Sequence, residues 1–234
     1  MFASDYRDIA RQKLKGNWGI AILVCFLAAV LGGSIGFSGI NIEIDAEDLK
    51  KMPDAVQRLA AVLASVGGFH SLLRIVFGGP IQLGNCRYHL NQHDGLKKDV
   101  ADLFHSFAHW GNAFLLSLLT TIFQLLWTLL FIFPGIMARY RYAMAPYIME
   151  ENPGMTAMEA IDASKKLMDG HKWELFCLDI SFIGWVILSA FTFGIGDLFL
   201  SPYTSAAHTA FYRNLVPRNA AATAENYEIP PVEF

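Results

Sequence analysis

Five charges stand in stretches otherwise too apolar to hold them: Arg74, Arg139, Arg141, Asp179 and Asp197. In hydrocarbon such charges cost several kcal/mol and usually face a bundle interior or a wet cavity. Three arginines against one outer carboxylate, Asp197, make a cationic patch that would suit a lipid phosphate or a small acidic solute. The bland reading has the arginines snorkel to headgroups or pair with Asp197. Arg139 and Arg141 are two residues apart, about 200° on a helix, so at most one faces a given pocket.

Other constellations are thinner. His89/His93 and His105/His109 are i,i+4 pairs, a spacing that can offer two imidazoles to one metal, yet both flank an interface where histidine is common filler. Gly36-Phe37-Ser38-Gly39 has the G-x-S-G form of intramembrane serine proteases, with His208 as the only base in the last apolar run. Ser38, however, sits at the loose end of the first run. Cys25, Cys86 and Cys177 are isolated, with no CxxC pair, and read as small thiols packed between helices. No Walker A, GxGxxG or HExxH motif is present, so neither a cofactor nor a metal is expected.

The elements that would carry these residues are apolar. Of 234 residues 54% are hydrophobic and 17% charged, against about 25% charged in a soluble domain. A net charge of −3 argues against a nucleic-acid partner. Trp110 to Ala138 runs 29 residues without a formal charge, more than the roughly 20 that cross a bilayer as a helix. It turns at Phe133-Pro134-Gly135 and returns with Arg139 and Arg141. Six spans are expected, at about 18–37, 66–88, 110–133, 134–149, 173–193 and 198–213, forming one domain over 1–215 with a disordered tail over 216–234.

Each pair of spans follows a more polar segment. Residues 4–15 are amphipathic, with Ser4 as a possible N-cap and Tyr6, Ile9, Ala10 and Leu14 on one face. Val100, Leu103, Phe104 and Phe107 form a second such face, and Thr156 with Glu159 has capping-box spacing ahead of a third helix ending near Met168. The junctions LKGNWGIAI, FAHWGNAFL and MDGHKWELF suggest a threefold internal repeat.

Orientation follows from the basic residues. With the N-terminus inside, the inner segments hold twelve (Arg7, Arg11, Lys13, Lys15, Arg87, Lys97, Lys98, Lys165, Lys166, Lys172, Arg213, Arg218) and the outer loops three (Lys50, Lys51, Arg58). A five-span alternative, with 110–138 as one tilted span, would move Lys165, Lys166, Lys172 and Arg213 outside.

Lys15-Gly16-Asn17-Trp18, Gly79-Pro80 with Gly84, Leu126-Trp127 with Pro134-Gly135-Ile136, Ser164-Lys165 with Gly170-His171-Lys172, Ser181-Phe182-Ile183-Gly184-Trp185, Gly194-Ile195-Gly196, Pro202-Tyr203 and Phe211-Tyr212 occur in order. In these motifs, over about residues 3 to 215, the chain resembles the domain of unknown function 975 family of bacterial multi-spanning membrane proteins. Phe133 stands where members typically have Ile. The resemblance implies a bacterial cytoplasmic membrane and brings no catalytic residues.

The expectation is thus an all-α polytopic bundle, six helices as three hairpins, with both termini cytoplasmic. Its leading role is a non-enzymatic scaffold or accessory protein working with lipid, a membrane-protein partner or another copy of itself. A small transporter or anion/lipid-handling protein using Arg74, Arg139, Arg141 and Asp197 is the first alternative, and an intramembrane enzyme the second.

Overall fold

The computed structural model describes residues 2–31, 76–97, 99–130, 132–192 and 196–216. These are helical, with no strand among the described residues. In chain order the helices are α1 (Ala3–Leu14), α2 (Trp18–Leu31), α3 (residues 76–93), α4 (Asp102–His105), a 3-10 turn (Ser106–His109), α5 (Trp110–Leu130), α6 (Ile132–Tyr142), α7 (Ala145–Glu151), α8 (Ala157–Leu167), α9 (Lys172–Ser181), α10 (Ile183–Phe191) and α11 (Asp197–Leu215). Arg74, Ser38, the end of the expected first span, the start of the expected second, and residues 217–234 lie outside the described residues.

α1 is amphipathic as its spacing predicts. Tyr6, Ala10 and Leu14 are buried, and they pack on α9 and α11 through contacts such as the edge-on Tyr6–Phe211 pair at 5.4 Å. Burying a side chain such as Leu14 is worth about 1.5–3 kcal/mol. Its cap differs from expectation. Phe2 is the N-cap residue, its backbone N–H donating to Asp5 at 2.9 Å, while the Ser4 hydroxyl donates to Asp5. Gly16, at φ +83°, supplies a left-handed corner that side chains resist, and α2 leaves α1 at 104°.

Gly170, at φ +81°, makes the equivalent corner before α9. The middle junction has Ala108-His109 at that place, and the chain runs straight on, so Asp102–Leu129 is one 28-residue rod. The amphipathic face there is also altered: Leu103 and Ser106 are buried, whereas Phe104 faces outward. Two glycines let α3 approach this rod at backbone distance. A Cβ at Gly84 would lie 2.6 Å from the Leu103 carbonyl carbon, and one at Gly79 would lie 3.0 Å from that of Ala113.

α6 starts at Ile132, so Pro134 sits in its first turn, where its missing N–H costs nothing. The expected fourth span is broken at Ala143-Met144, between α6 and α7. The fifth is interrupted at Phe182, next to Ser181 and near Gly184, residues that commonly kink helices. Among the described residues two helices are long and apolar enough to cross a membrane, Asp102–Leu129 and Lys172–Phe191, or three if the bent α1–α2 pair counts as one.

The capping box of α8 forms as read from Thr156 and Glu159: Glu159 N–H donates to the Thr156 hydroxyl at 3.4 Å, and Thr156 N–H donates to the Glu159 carboxylate at 2.8 Å. The Thr156 backbone bond, then its hydroxyl, hold the Glu159 pKa below its ordinary 4.5. The core gathers at the ends of three helices, around Tyr88 of α3, Tyr147 of α7 and Phe211 and Tyr212 of α11. Tyr147 stacks on Tyr212 at 5.2 Å. A second cluster, around Leu83, Leu116, Tyr142 and Ile161, seats α8 against α5 and α6.

Candidate functional site

The polar residues that α6, α9 and α11 bring together are Tyr140, Asp179 and His208. The Asp179 carboxylate receives the Tyr140 hydroxyl at 3.1 Å and His208 Nε2–H at 2.6 Å. A carboxylate only accepts, so Nε2 carries the proton and Nδ1 is left to take another. The imidazole and carboxylate are each about a third exposed (30% and 27%), while Tyr140 is buried. Arg139 lies near enough for its charge to act on Asp179 and Tyr140. Asp179 thereby fixes the orientation of the imidazole and ties α9 to α11.

Asp179 and His208 were each legible as unusual, one as a charge in an apolar run and the other as the lone base in the last. Their pairing was not. His208, considered with Ser38, is engaged by Asp179.

The four residues named for an anion site do not all gather within the described part. Arg74 lies outside it. Arg139 belongs with Asp179. Arg141 lies towards α8, where its carbonyl accepts the Ser164 hydroxyl at 2.8 Å and its Nε is buried without a partner. Asp197 opens α11 and accepts the Ser189 hydroxyl at 2.7 Å.

The histidine pairs also diverge. Gln92 donates to the Lys13 carbonyl at 3.4 Å, so its oxygen faces His89 Nδ1 at 3.2 Å, and His89 Nε2 is left to accept from the Cys25 thiol at 3.5 Å. Thiol, imidazole and orienting amide have the order of a nucleophile, base and positioning group. Yet Cys25 is 4% exposed and His89 1%, and neither lines the groove at Trp185 or the cleft at His105. His93 approaches Asp94 instead. His105 and His109 line a cleft of about 20 Å³ beside Glu150. No group of three or more metal-ligating side chains occurs among the described residues. Of the other cysteines, Cys86 is buried as expected and Cys177 is exposed.

Ion pairs join residues far apart in sequence. Arg213 donates two bonds to Asp94, at 2.9 and 2.7 Å, and meets Glu151 at 2.6 Å, where Tyr212 also donates. Arg87 bridges Glu150 at 3.1 Å and Asp102 at 3.5 Å, and Ser106 donates to Glu150 at 2.8 Å. Arginine's planar fork suits such pairing, and these side chains clamp α3, α7 and α11.

One larger cavity, of about 330 Å³, opens between the α1–α2 corner and α10–α11. Trp18, Trp185, Leu188, Phe199 and Leu200 form most of its wall, with Arg11 and Tyr203 at one end and Ser189 and Thr192 also lining it.

A family model described as protein of unknown function (DUF975) matches residues 129–219. That stretch is similar to DUF975 sequences. The match is narrower than the resemblance over residues 3 to 215. The DUF975 stretch contains Arg139, Tyr140, Asp179, His208 and Arg213, whereas Arg11, Cys25 and His89 precede it. No curated protein and no solved structure matches the chain.

Proposed function

We propose that this chain is a bacterial cytoplasmic-membrane protein with six spans in three hairpins and both termini cytoplasmic. On this reading it is a non-enzymatic accessory protein that works with lipid or a partner protein. The observation that carries the proposal is the bare apolar surface of α10 and the second half of α5. Ile183, Trp185, Val186, Ile187, Leu188 and Phe191 are all exposed, as are Leu125, Leu126 and Leu129. In water a contiguous patch of this kind would drive aggregation, while in a bilayer it is the ordinary outer face.

The distribution of polar groups supports the same orientation. Arg87, Asp94, Glu150, Glu151 and Arg213 meet at the end assigned to the cytoplasm, beside the basic segments. At the opposite end the two hairpins close alike. Gly135 approaches Thr128, and Gly196 approaches Ser189, each with a would-be Cβ 2.8 Å from the facing Cα. Both pairs are seven residues apart, which supports an internal repeat.

The test is extraction. The chain should stay with membranes through an alkaline carbonate wash and leave only with detergent. Release into the carbonate supernatant would contradict the reading. The lipid-handling alternative draws on one feature, the groove with Arg11 at its end.

A further inference from the structure

We infer that the groove between the α1–α2 corner and α10–α11 binds an anionic phospholipid, with the phosphate at Arg11 and Tyr203 and one acyl chain along Trp18, Trp185, Leu188 and Phe199. The inference rests on the membrane reading above, because the chain must enter from the bilayer side.

The wall is apolar, and the cavity, about 330 Å³, falls at the lower end of sizes that hold small ligands. The two hydroxyl groups at its α10–α11 end are already used. Ser189 donates to Asp197, and Thr192 donates to the Ser189 carbonyl while accepting Gly196 N–H. A soluble anion would therefore find nothing to hold it at that end.

Donors remain at the other end. Arg11 donates to the Tyr203 hydroxyl at 3.3 Å, which leaves the phenolic proton without an acceptor among the described residues, although Tyr203 is buried. Among the described residues Arg11's one carboxylate neighbour is Asp8, 3.7 Å away on an exposed face, a pairing worth little. One turn earlier Arg7 lies 5.9 Å from the Phe182 ring centre, its Nε buried and without a partner, and it has no ion pair among the described residues. Phe182 in turn packs edge-on against Tyr203 at 5.1 Å. Arg11 is the guanidinium that lines the groove, and with its one weak pair on the exposed face it favours an anion there. Trp185 and Leu188 line the groove and are also exposed on the bare face of α10, so the groove is continuous with the surface assigned to lipid.

The full chain, purified in detergent, is titrated with phosphatidylglycerol, phosphatidylcholine and inorganic phosphate, with bound lipid read by native mass spectrometry. Phosphatidylglycerol should bind about tenfold tighter than phosphatidylcholine, whose phosphate is offset by its own choline cation, and inorganic phosphate should not compete. Arg11→Gln should bring the two lipids level. Leu188→Trp, at an exposed position that leaves folding intact, should abolish binding by filling the groove. Equal affinity of the two lipids, an unchanged preference in Arg11→Gln, competition by phosphate alone, or undiminished binding in Leu188→Trp would each overturn the site. A chain that resists carbonate but shows no lipid preference fails this inference alone. One released by carbonate fails the membrane reading whatever it binds in detergent.

Discussion

Replacing Gly84 by alanine adds one methyl group, and the structure sets both sign and size of the effect. The new Cβ would stand 2.6 Å from the Leu103 carbonyl carbon and 2.7 Å from its Cα. Those atoms are backbone, held by the 28-residue rod that begins at Asp102, and cannot swing aside as a side-chain tip could. Overpacking of this kind costs about 1–3 kcal/mol, and a rigid neighbour puts it at the upper end. Alanine regains about 1 kcal/mol of helix propensity over glycine, leaving a net loss of about 2 kcal/mol. For a chain of this size that is about 4–8 °C in Tm. Gly184, on α10, is the control, because a Cβ there meets nothing within 4 Å. Gly184→Ala should raise Tm by about 2–4 °C on propensity alone. Thermal unfolding of both variants in the same detergent reads the difference. A Gly84→Ala protein as stable as wild type would refute the close approach of α3 to the rod.

Three further perturbations follow from the polar contacts. Asp179→Asn should cost about 1–2 kcal/mol, a figure lowered from that of a buried pair because both partners are partly exposed. Its effect should be strongly non-additive with His208→Gln in a double-mutant cycle, and simple additivity would dissolve the pairing. Arg213→Ala removes a buried guanidinium shared by Asp94 and Glu151 and should destabilise by about 3 kcal/mol, the lower end of the range for breaking a buried pair, because Tyr212 still donates to Glu151 and His93 stays beside Asp94; a shift of a few tenths would show the clamp to be ornamental. Glu159 has its pKa lowered by folding, so its contribution is present above its unfolded value near 4.5 and is lost as pH falls through the folded value. Glu159→Gln should therefore lower Tm at pH 7 and match wild type once the carboxylate of wild type is protonated. A stability gap that persists unchanged at low pH would count against the capping box.

What the sequence made legible was local. Thr156 and Glu159 announce α8 because a capping box is decided within four residues, and the face of α1 can be read because burial repeats with the helical period. Gly16 and Gly170 mark corners where a positive φ is needed. The middle junction looked like a third copy on the strength of its tryptophan, yet Ala108-His109 lacks that glycine and the helix continues. Partners distant in sequence stayed hidden. Nothing in the local pattern ties Asp179 to His208, Arg213 to Asp94, or Gly84 to Leu103. Arg11 counted only as an inner cation until α1 was seen lying against Tyr203. The opposed directions inferred for Arg139 and Arg141 needed only the helix repeat, whereas what each reaches depended on α8 and α9.

The central claim, that the apolar helices lie in a bilayer with the ion-paired end cytoplasmic, is tested most directly by labelling single cysteines from one side of the membrane. In a Cys177→Ala background, Lys97→Cys and Asp162→Cys should resist a membrane-impermeant maleimide in intact cells and react in inverted vesicles. Gly194→Cys, between α10 and α11 in the sequence, should do the reverse. Labelling of all three from the same side would contradict the account.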